Sequence, residues 1–406
     1  MTLEQRIIER IQREGPLTFA EYMRMALYEP GSGYYVTGAA RLGWEGDYYT
    51  STDVSTLFAH CMGRQLRQVW EHLQRPTPFL VLEQGAGRGD LAQGIRSWAE
   101  HEAPDLHAAI DYRTEDINAG QDAMYADTTI IPPPRPPALP PRPPARGGPT
   151  IHDTPVSEAV YSQATPCGWP GYHIILSNEL VDAFPVHRVM VHEGQLYEIY
   201  VDVKDGRLYE VLDEPGQPEV ADYLDHYKIP WRSFGDGWQA EINLDAQRWM
   251  QVTADRLYKT PRAAKGKGFI LVIDYGDKAR ALYTQYRRTG TLACYFRHQL
   301  TERPLVRPGE QDITAHVNFS ALIEDGRRQG LRLHSYTTQR QWLEHMGIYE
   351  ELDALRKTEE YAPMDTERAS DRGQTALFKW YNLRNRATAL TDPAGMGNFK
   401  VLMMRR

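Results

Sequence analysis

Residues 80–91 read Leu-Val-Leu-Glu-Gln-Gly-Ala-Gly-Arg-Gly-Asp-Leu, an apolar run that enters three glycines at alternate positions. A buried strand followed by a glycine turn and the start of a helix is how an open α/β sheet brings its backbone close to a ligand. The spacing is G-x-G-x-G, whereas the dinucleotide fingerprint that binds a pyrophosphate is G-x-G-x-x-G. The segment therefore predicts a nucleoside pocket for a ligand without phosphate groups.

S-adenosylmethionine fits such a pocket, because it combines an adenosine, an amino acid and a sulfonium. Glu83 at the end of the predicted strand is available for the cationic amino group. The glycines leave room for the ligand to approach the backbone. We therefore predict cofactor contacts at Glu83, Gly85, Gly87 and Gly89. The alternative is a tight turn without a ligand, because three glycines after a strand are often no more than that.

Residues 108–115 are predicted to form the second strand of the same sheet, which ends in the carboxylate of Glu115. A doubly wound fold places an acid at this strand tip, where the carboxylate accepts hydrogen bonds from both ribose hydroxyls. Glu115 is therefore the predicted ribose ligand. A surface acid at a strand end is the alternative.

The segment 173–185 is the strongest candidate active site. Its apolar run leads into a polar cluster that contains Asn178, Glu179 and Asp182. Ligands of open α/β sheets bind at the carboxyl edge of the strands, where these three side chains are expected to lie.

The N-terminal part, residues 1–75, is predicted to be a helical cap that precedes an α/β domain over residues 76–406. Its first helices cover residues 3–14 and 18–27, the second opened by a Thr18-x-x-Glu21 capping box. The turn at residues 28–35, rich in glycine and tyrosine, is either a packed loop or a lid over a ligand.

The second half of the chain alternates strands and helices. The predicted elements are a β-meander arm over residues 186–212, a helix near residues 245–259, a buried strand over 268–276, a largely helical stretch over 339–389 and a closing strand over 399–404. Asp312 and His316 lie four residues apart at a predicted helix start, where they would share a face.

Composition limits the class of protein. A formal net charge of -8 and a pI near 5.9 argue against a general nucleic-acid binder. Cys61, Cys167 and Cys294 are far apart, which argues against a disulfide framework or a structural zinc site. No apolar run approaches the roughly 20 residues that span a bilayer, and the N-terminus does not resemble a targeting peptide. We expect a cytoplasmic protein without a membrane span.

Residues 131–146 contain nine prolines in sixteen positions. Such a run forms neither a helix nor a central strand, so we predict an extended, solvated polyproline insertion over residues 131–150. A docking segment, a species-specific insertion and a shifted reading frame would each account for it.

Seven blocks of sequence, taken together and in this order, resemble the MidA-like class I methyltransferases, a family that includes a mitochondrial complex I assembly methyltransferase. The blocks are Tyr28-Glu29-Pro30 through Tyr35, Gly46-Asp47 with Thr50-Ser51, Glu83-x-Gly85-x-Gly87-x-Gly89, Ser177-Asn178-Glu179 with Asp182-Ala183, Asp274-Tyr275-Gly276, Asp312-x-Thr314-Ala315-His316, and Met396-Gly397-x-Phe399-Lys400-Val401-Leu402. The resemblance extends over nearly the whole chain.

The resemblance implies an α/β, Rossmann-like sheet of seven strands with an antiparallel last strand and a helical insertion before it. It also implies S-adenosylmethionine as donor and an arginine in a terminal segment of a protein partner, such as a respiratory-complex subunit, as acceptor. Thr52 stands where the family usually has proline, and the proline run replaces or expands the region of the third strand.

Methyl transfer is an in-line displacement that depends mainly on alignment, so neither a metal nor a covalent intermediate is predicted. Glu179 and Asp182 are predicted catalytic residues that clamp a guanidinium, and His316 is predicted to accept the released proton. A packing role is the alternative for His316. Asn178 is a further predicted cofactor contact. Two alternative functions stay open: a small-molecule O- or N-methyltransferase, and an assembly factor that binds S-adenosylmethionine without turnover. A homodimer is also left open.

Overall fold

The computed structural model describes residues 1–37, 51, 55–116, 128–130, 171–257, 267–297 and 299–406, with the backbone alone at residues 128–130. The proline-rich run, Thr52 and the Gly46-Asp47 block lie outside the described residues.

The strands, in chain order, are β1 Leu17–Thr18, β2 Phe79–Gln84, β3 Ile110–Asp116, β4 Thr128–Ile130, β5 Ile174–Asn178, β6 His187–His192, β7 Gln195–Lys204, β8 Arg207–Asp213, β9 Gln239–Ile242, β10 Phe269–Asp274, β11 Gly276–Asp277, β12 Ala293–Phe296, β13 Gln299–Thr301, β14 Asp312–Thr314, β15 Val317–Asn318, β16 Arg332–Thr338 and β17 Lys400–Arg405. The helices are α1 Leu3–Glu14, α2 Phe19–Tyr28, α3 Tyr34–Thr37, α4 Thr56–His72, α5 Asp90–Glu102, α6 Pro104–Ala109, α7 Pro218–His226, α8 Leu244–Asp255, α9 Ala279–Leu282, α10 Phe319–Arg328, α11 Gln339–His345, α12 Ile348–Leu355, α13 Pro363–Thr366 and α14 Asp371–Thr391.

The central sheet has seven strands in the order β16-β17-β10-β5-β2-β3-β4. The five strands β10, β5, β2, β3 and β4 are parallel to one another. Strand β17 is antiparallel to both β10 and β16. The expected α/β sheet of seven strands with an antiparallel last strand is therefore confirmed, and helices α11 to α14 form the expected insertion before that strand.

Both faces of the central sheet are covered, as expected for a mostly parallel sheet. Every residue of β2 is buried. Phe79 and Val81 enter a core on one face together with residues of α4 and α5. Leu80 and Leu82 enter the core on the other face, where residues of α8 and α10 pack. The carboxyl edge of the sheet is left for the turns that follow β2, β3, β5 and β10.

A second sheet is built by β6, β7, β8 and β9 with the short strand β1, and all of its pairs are antiparallel. Its two hairpin turns have positive φ at both central residues, Glu193-Gly194 and Asp205-Gly206. This conformation suits the twist of the flanking strands and is one that glycine adopts readily. The predicted β-meander arm is confirmed.

The N-terminal helices divide between two cores. Side chains of α1 and α2 pack with Val201 of the meander and Ile313 of β14, whereas α4 packs on the central sheet. The capping box of Thr18 and Glu21 is present. The division at residue 75 into a cap and a domain stays a prediction.

Two parts of the chain differ from the sequence analysis. The prediction that Asp312 and His316 share a helix face is wrong: Asp312 begins strand β14, which pairs with β12, and the next helix begins at Phe319. Pairing between distant segments overrides the local spacing here. Strand β16 was not predicted because it is an edge strand whose first four residues are exposed, so it carries no apolar alternation.

None of the helices in the described ranges is long and apolar enough to cross a membrane. Cys61 and Cys294 are buried free thiols.

Candidate active site

The glycine turn follows β2 at the carboxyl edge. Gly85, Gly87 and Gly89 have φ of 72, 54 and 80 degrees, a region where a side chain is strained. A Cβ at Gly85 would also lie 2.8 Å from the Leu180 side chain. Gly89 is the N-cap of α5, so the turn delivers the chain directly into a helix. The sequence needs glycine here because of backbone conformation and close packing.

Glu83 is buried at the end of β2, and its Oε2 accepts a hydrogen bond of 2.9 Å from the Tyr112 hydroxyl on β3. Burial raises the pKa of Glu83 to about 8, while the Tyr112 hydrogen bond acts in the opposite direction. An ammonium group beside this carboxylate would stabilise its ionised form. The position is therefore suited to the amino group of an amino-acid moiety.

The acids at the end of β3 are used differently. Glu115 is buried, and its carboxylate accepts hydrogen bonds of 2.7 and 2.5 Å from the two terminal nitrogens of Arg256. Asp116, the next residue, accepts a hydrogen bond of 2.9 Å from the Gly87 backbone N–H. The carboxylate that meets the glycine turn is that of Asp116. A ribose contact by Glu115 stays a prediction, and its ion pair with Arg256 competes with that role.

At the end of β5, Glu179 adopts a φ of 50 degrees, unusual for a residue with a side chain. Its Oε1 accepts hydrogen bonds from the Ser51 backbone N–H at 2.7 Å and from Asn178 Nδ2 at 3.2 Å. Burial raises the pKa of Glu179 to about 7, and the nearby Asp182 adds to the rise. Glu179 thus joins the strand end to the segment that precedes α4.

Asp182 lies in a short 3-10 turn, Val181–Ala183, that is anchored by Asp274. The Oδ2 of Asp274, which is fully buried at the end of β10, accepts the backbone N–H groups of Val181 and Asp182 at 2.9 and 3.3 Å. Burial and the neighbouring carboxylates of Asp182 and Glu179 raise the pKa of Asp274 well above its usual value. Three carboxyl groups therefore meet at this edge.

The Asp182 side chain has one engaged and one unengaged oxygen. Its Oδ2 accepts a hydrogen bond from the Tyr275 hydroxyl. Its Oδ1 is buried and has no hydrogen-bond partner among the described residues. Burial raises the pKa of Asp182 to about 6, against the effect of the Tyr275 hydrogen bond. A buried acceptor without a partner is costly, so this oxygen is well placed to receive a donor from a ligand.

His316 follows β14 in the chain, and its ring lies 5.3 Å from that of Tyr275, edge to face. Burial lowers the pKa of His316 to about 4, and the positive charges of Arg287 and Lys400 contribute. The imidazole is therefore neutral near pH 7. The structure brings His316 against Tyr275, beside the carboxyl cluster, although without the helix that the sequence suggested.

The tyrosine-rich turn packs against the same edge. The Tyr28 hydroxyl donates to the carbonyl of Ala183 at 2.9 Å, and Tyr28 stacks on Tyr35 with ring centroids 5.5 Å apart. Tyr35 donates to Asp312 Oδ1 at 2.7 Å. These contacts correspond to the packed-loop interpretation of residues 28–35.

Two properties of this edge fit S-adenosylmethionine. The glycine turn keeps side chains away from the backbone, and the acid Glu83 is held beside it. A further polar group at this edge, the Oδ1 of Asn178, is buried without a hydrogen-bond partner in the described part of the chain. The cofactor, when bound, supplies an electrophilic methyl group on a sulfonium. Within the described residues, no group of three histidine, cysteine or acidic side chains could hold a metal ion.

A family model of S-adenosyl-L-methionine-dependent methyltransferases matches residues 61–337. The chain belongs to this methyltransferase family. The resemblance to MidA-like methyltransferases is thereby confirmed, and the enzyme class and the cofactor follow from it.

The similarity to solved structures and to curated proteins covers most of the chain. A protein from Burkholderia thailandensis, crystallised with S-adenosyl-homocysteine, is 26% identical to this chain and superposes on it with a TM-score of 0.75. The match covers 100% of this chain and 92% of the Burkholderia chain. The mitochondrial protein arginine methyltransferase NDUFAF7 homolog of Drosophila melanogaster is 26% identical over 99% of this chain and 84% of that protein. The human protein arginine methyltransferase NDUFAF7 is 26% identical over 86% of this chain and 74% of that protein.

Sequence reasoning missed several residues of this candidate site. Asp274 and Tyr275 were noted only as part of a block, although an acid at the end of a buried strand was the signal already used for Glu179. Asp116 was overlooked in favour of its neighbour. Ser51 was likewise noted only as part of a block, and Arg256 carries no local signal. The contacts of both residues join segments more than 100 residues apart.

Proposed function

We propose that this methyltransferase transfers a methyl group to an arginine side chain of a protein partner. The observation that carries the proposal is the carboxyl cluster of Glu179, Asp182 and Asp274, in which the Oδ1 of Asp182 has no hydrogen-bond partner among the residues that the structure describes. A guanidinium presents several N–H donors and remains charged in water. A buried carboxylate beside it gains a charge-assisted hydrogen bond. The positive charge also offsets the free-energy cost of burying the ionised carboxylate.

The chemistry requires alignment and removal of one proton. Asp182 is the clamp that orients the guanidinium fork, while Glu179 holds the Ser51 segment over the strand end. With the cofactor bound, the attacking nitrogen would take the methyl group from the sulfonium, whose carbon–sulfur electron pair would stay on sulfur. The same nitrogen would then lose one proton, so that the product is a methylguanidinium with a single positive charge. Asp182 accepts a hydrogen bond from the guanidinium and lowers its cost of desolvation. His316, which is neutral, accepts the proton and passes it to water, because a pKa near 4 makes it a weak base.

Two further observations support an arginine acceptor. The relatives named protein arginine methyltransferases match most of this chain. The formal net charge of -8 favours approach of a basic segment. We therefore expect the arginine to lie in a flexible, basic terminal segment of the partner, for which a respiratory-complex subunit is one candidate. A cytoplasmic location and a homodimer stay predictions.

The test is transfer from S-adenosylmethionine carrying an isotopic label in its methyl group to the proteins of a bacterial lysate. Mass spectrometry of the labelled protein should place the methyl group on an arginine nitrogen. The Gly87→Val variant is the matched control and should leave the lysate unlabelled. Methyl groups on lysine, on a carboxylate or on a small molecule would contradict the arginine acceptor. Binding of the donor without any transfer would favour an assembly factor.

A further inference from the structure

Tyr275 immediately follows the last residue of β10, and its hydroxyl donates to the Oδ2 of Asp182, 93 positions away in sequence. The contact exists because Asp274 binds the backbone of the turn that carries Asp182. The phenol itself is held by its ring contacts with His316 and Phe399, at centroid distances of 5.3 and 5.4 Å. One oxygen of the Asp182 carboxylate is thus fixed from the side of β10, and the other has no hydrogen-bond partner within the described ranges of the chain.

We propose that Tyr275 is the positioning residue of the acceptor site: its hydroxyl fixes one oxygen of the Asp182 carboxylate and leaves the other, Oδ1, for the acceptor. The proposal rests on the proposed function in one respect, that the acceptor group bound by Asp182 is a cation. Tyr275 acts through Asp182 and forms no bond with the acceptor in this account.

The groups around Asp182 explain why this hydrogen bond matters. The titratable groups that face it are Glu179 on its own segment, Asp274 at the end of β10 and Tyr275 just after it, Tyr295 from β12, and His316 against the Tyr275 ring. Two of them are acids that disfavour a further negative charge. Burial also disfavours the charge, and the Tyr275 hydroxyl is the foremost contact that opposes this effect.

Removal of the hydroxyl should therefore make Asp182 harder to ionise. A hydrogen bond to a charged group is commonly strong enough to move a pKa by about one unit. In Tyr275→Phe we expect the pKa of Asp182 to rise by about one unit from its value near 6. The acid limb of the pH dependence of methyl transfer should move upward by the same amount, because transfer needs the ionised carboxylate.

The first experiment requires no acceptor. The protein is prepared with aspartate labelled with ¹³C in the side-chain carboxyl, and the Asp182 signal is identified by its absence in Asp182→Asn. Titration by NMR should show the higher pKa in Tyr275→Phe. The matched control is Tyr35→Phe, which removes another tyrosine–aspartate hydrogen bond, of 2.7 Å to Asp312, and should leave the Asp182 titration unchanged. An unchanged pKa in Tyr275→Phe would overturn the proposal even if arginine is the acceptor.

The second experiment measures kcat/KM against pH with the lysate protein fraction as acceptor. Tyr275→Phe should recover towards the activity of the unchanged chain as the pH rises, whereas a loss that is the same at every pH would indicate a purely structural role and overturn the proposal. If Tyr275→Phe does not fold, biosynthetic replacement of tyrosine by 3-fluorotyrosine provides a second route. The fluorinated phenol is a stronger donor, so the pKa of Asp182 should fall; no change would again overturn the proposal.

Discussion

Two pairs of a tyrosine and a buried carboxylate lie at the carboxyl edge of the central sheet, and they are built differently. Glu83 and Tyr112 belong to neighbouring parallel strands, so the regular register of β2 and β3 places the hydroxyl 2.9 Å from the carboxylate. Asp182 and Tyr275 both lie outside the strands, in turns that Asp274 ties together through backbone N–H groups.

The difference separates the site into two halves. The Glu83 half is fixed by sheet geometry and lies beside the glycine turn, where the methyl donor is expected. The Asp182 half is fixed by contacts between turns. It lies close to the tyrosine-rich turn of residues 28–35 and to the meander arm. An enzyme family can keep the first half while the second changes with the acceptor, because binding residues are easily varied on turns that a rigid scaffold positions. Variants should therefore affect donor binding and methyl transfer separately.

The largest effect on the donor half is expected from Gly87→Val. A β-branched side chain is strained at a φ of 54 degrees and fills the space beside the backbone. The affinity for S-adenosyl-homocysteine, measured by titration calorimetry, should fall roughly 100-fold. Gly206→Val is the control, since Gly206 has a φ of 72 degrees in an open hairpin turn with no atom near its would-be Cβ. Normal affinity in Gly87→Val would remove the glycine turn from the donor half.

A smaller effect is expected where the two acids at the end of β3 are compared. Asp116→Asn removes the charge that meets the Gly87 N–H and should weaken S-adenosyl-homocysteine binding about tenfold. Glu115→Gln weakens the buried pair with Arg256 and should instead lower the free energy of unfolding by about 2 kcal/mol. Chemical denaturation and calorimetry together distinguish the two. The reverse pattern, with lost affinity only in Glu115→Gln, would make Glu115 the ribose ligand.

The smallest of these effects concerns pH. Burial raises the pKa of Glu83 to about 8, so binding of an ammonium beside it should release a proton. The affinity for S-adenosyl-homocysteine should fall roughly fivefold from pH 7.5 to 6.5, and calorimetry in buffers with different ionisation enthalpies should detect the proton. Tyr112→Phe should move this dependence to higher pH. Without ligand, the sign for stability is the opposite: the raised pKa favours the folded state at low pH, and that contribution is lost as the pH rises through 8. Affinity independent of pH would place the ammonium elsewhere.

The donor half was largely predictable from the sequence because it is local. The glycines, the acid before them and the helix after them lie within one short segment, and the strand period fixes which side chains share a face. The sequence could not distinguish the roles of Glu115 and Asp116, because their partners lie in other segments of the chain. The two acids point to opposite faces of β3, and Glu115 meets Arg256, which is 141 positions away in the sequence.

The acceptor half was only partly predictable. Glu179 and Asp182 were recognised as polar groups at a strand end, but their different partners were not, because Ser51 and Tyr275 come from distant segments. The spacing of Asp312 and His316 suggested a helix, whereas the antiparallel pairing of β14 with β12 made the segment extended. Long-range pairing of this kind leaves little trace in a local pattern.

The account depends most on the separation of the two halves, and Asp182→Asn tests it most directly. Binding of S-adenosyl-homocysteine and methyl transfer to arginine should be measured on the same preparation, with its melting temperature as the control for folding. We expect donor affinity close to that of the unchanged chain and transfer reduced about 100-fold, as for misalignment at a reacting centre. Full transfer by Asp182→Asn, or a loss of donor affinity as large as the loss of transfer, would contradict the account.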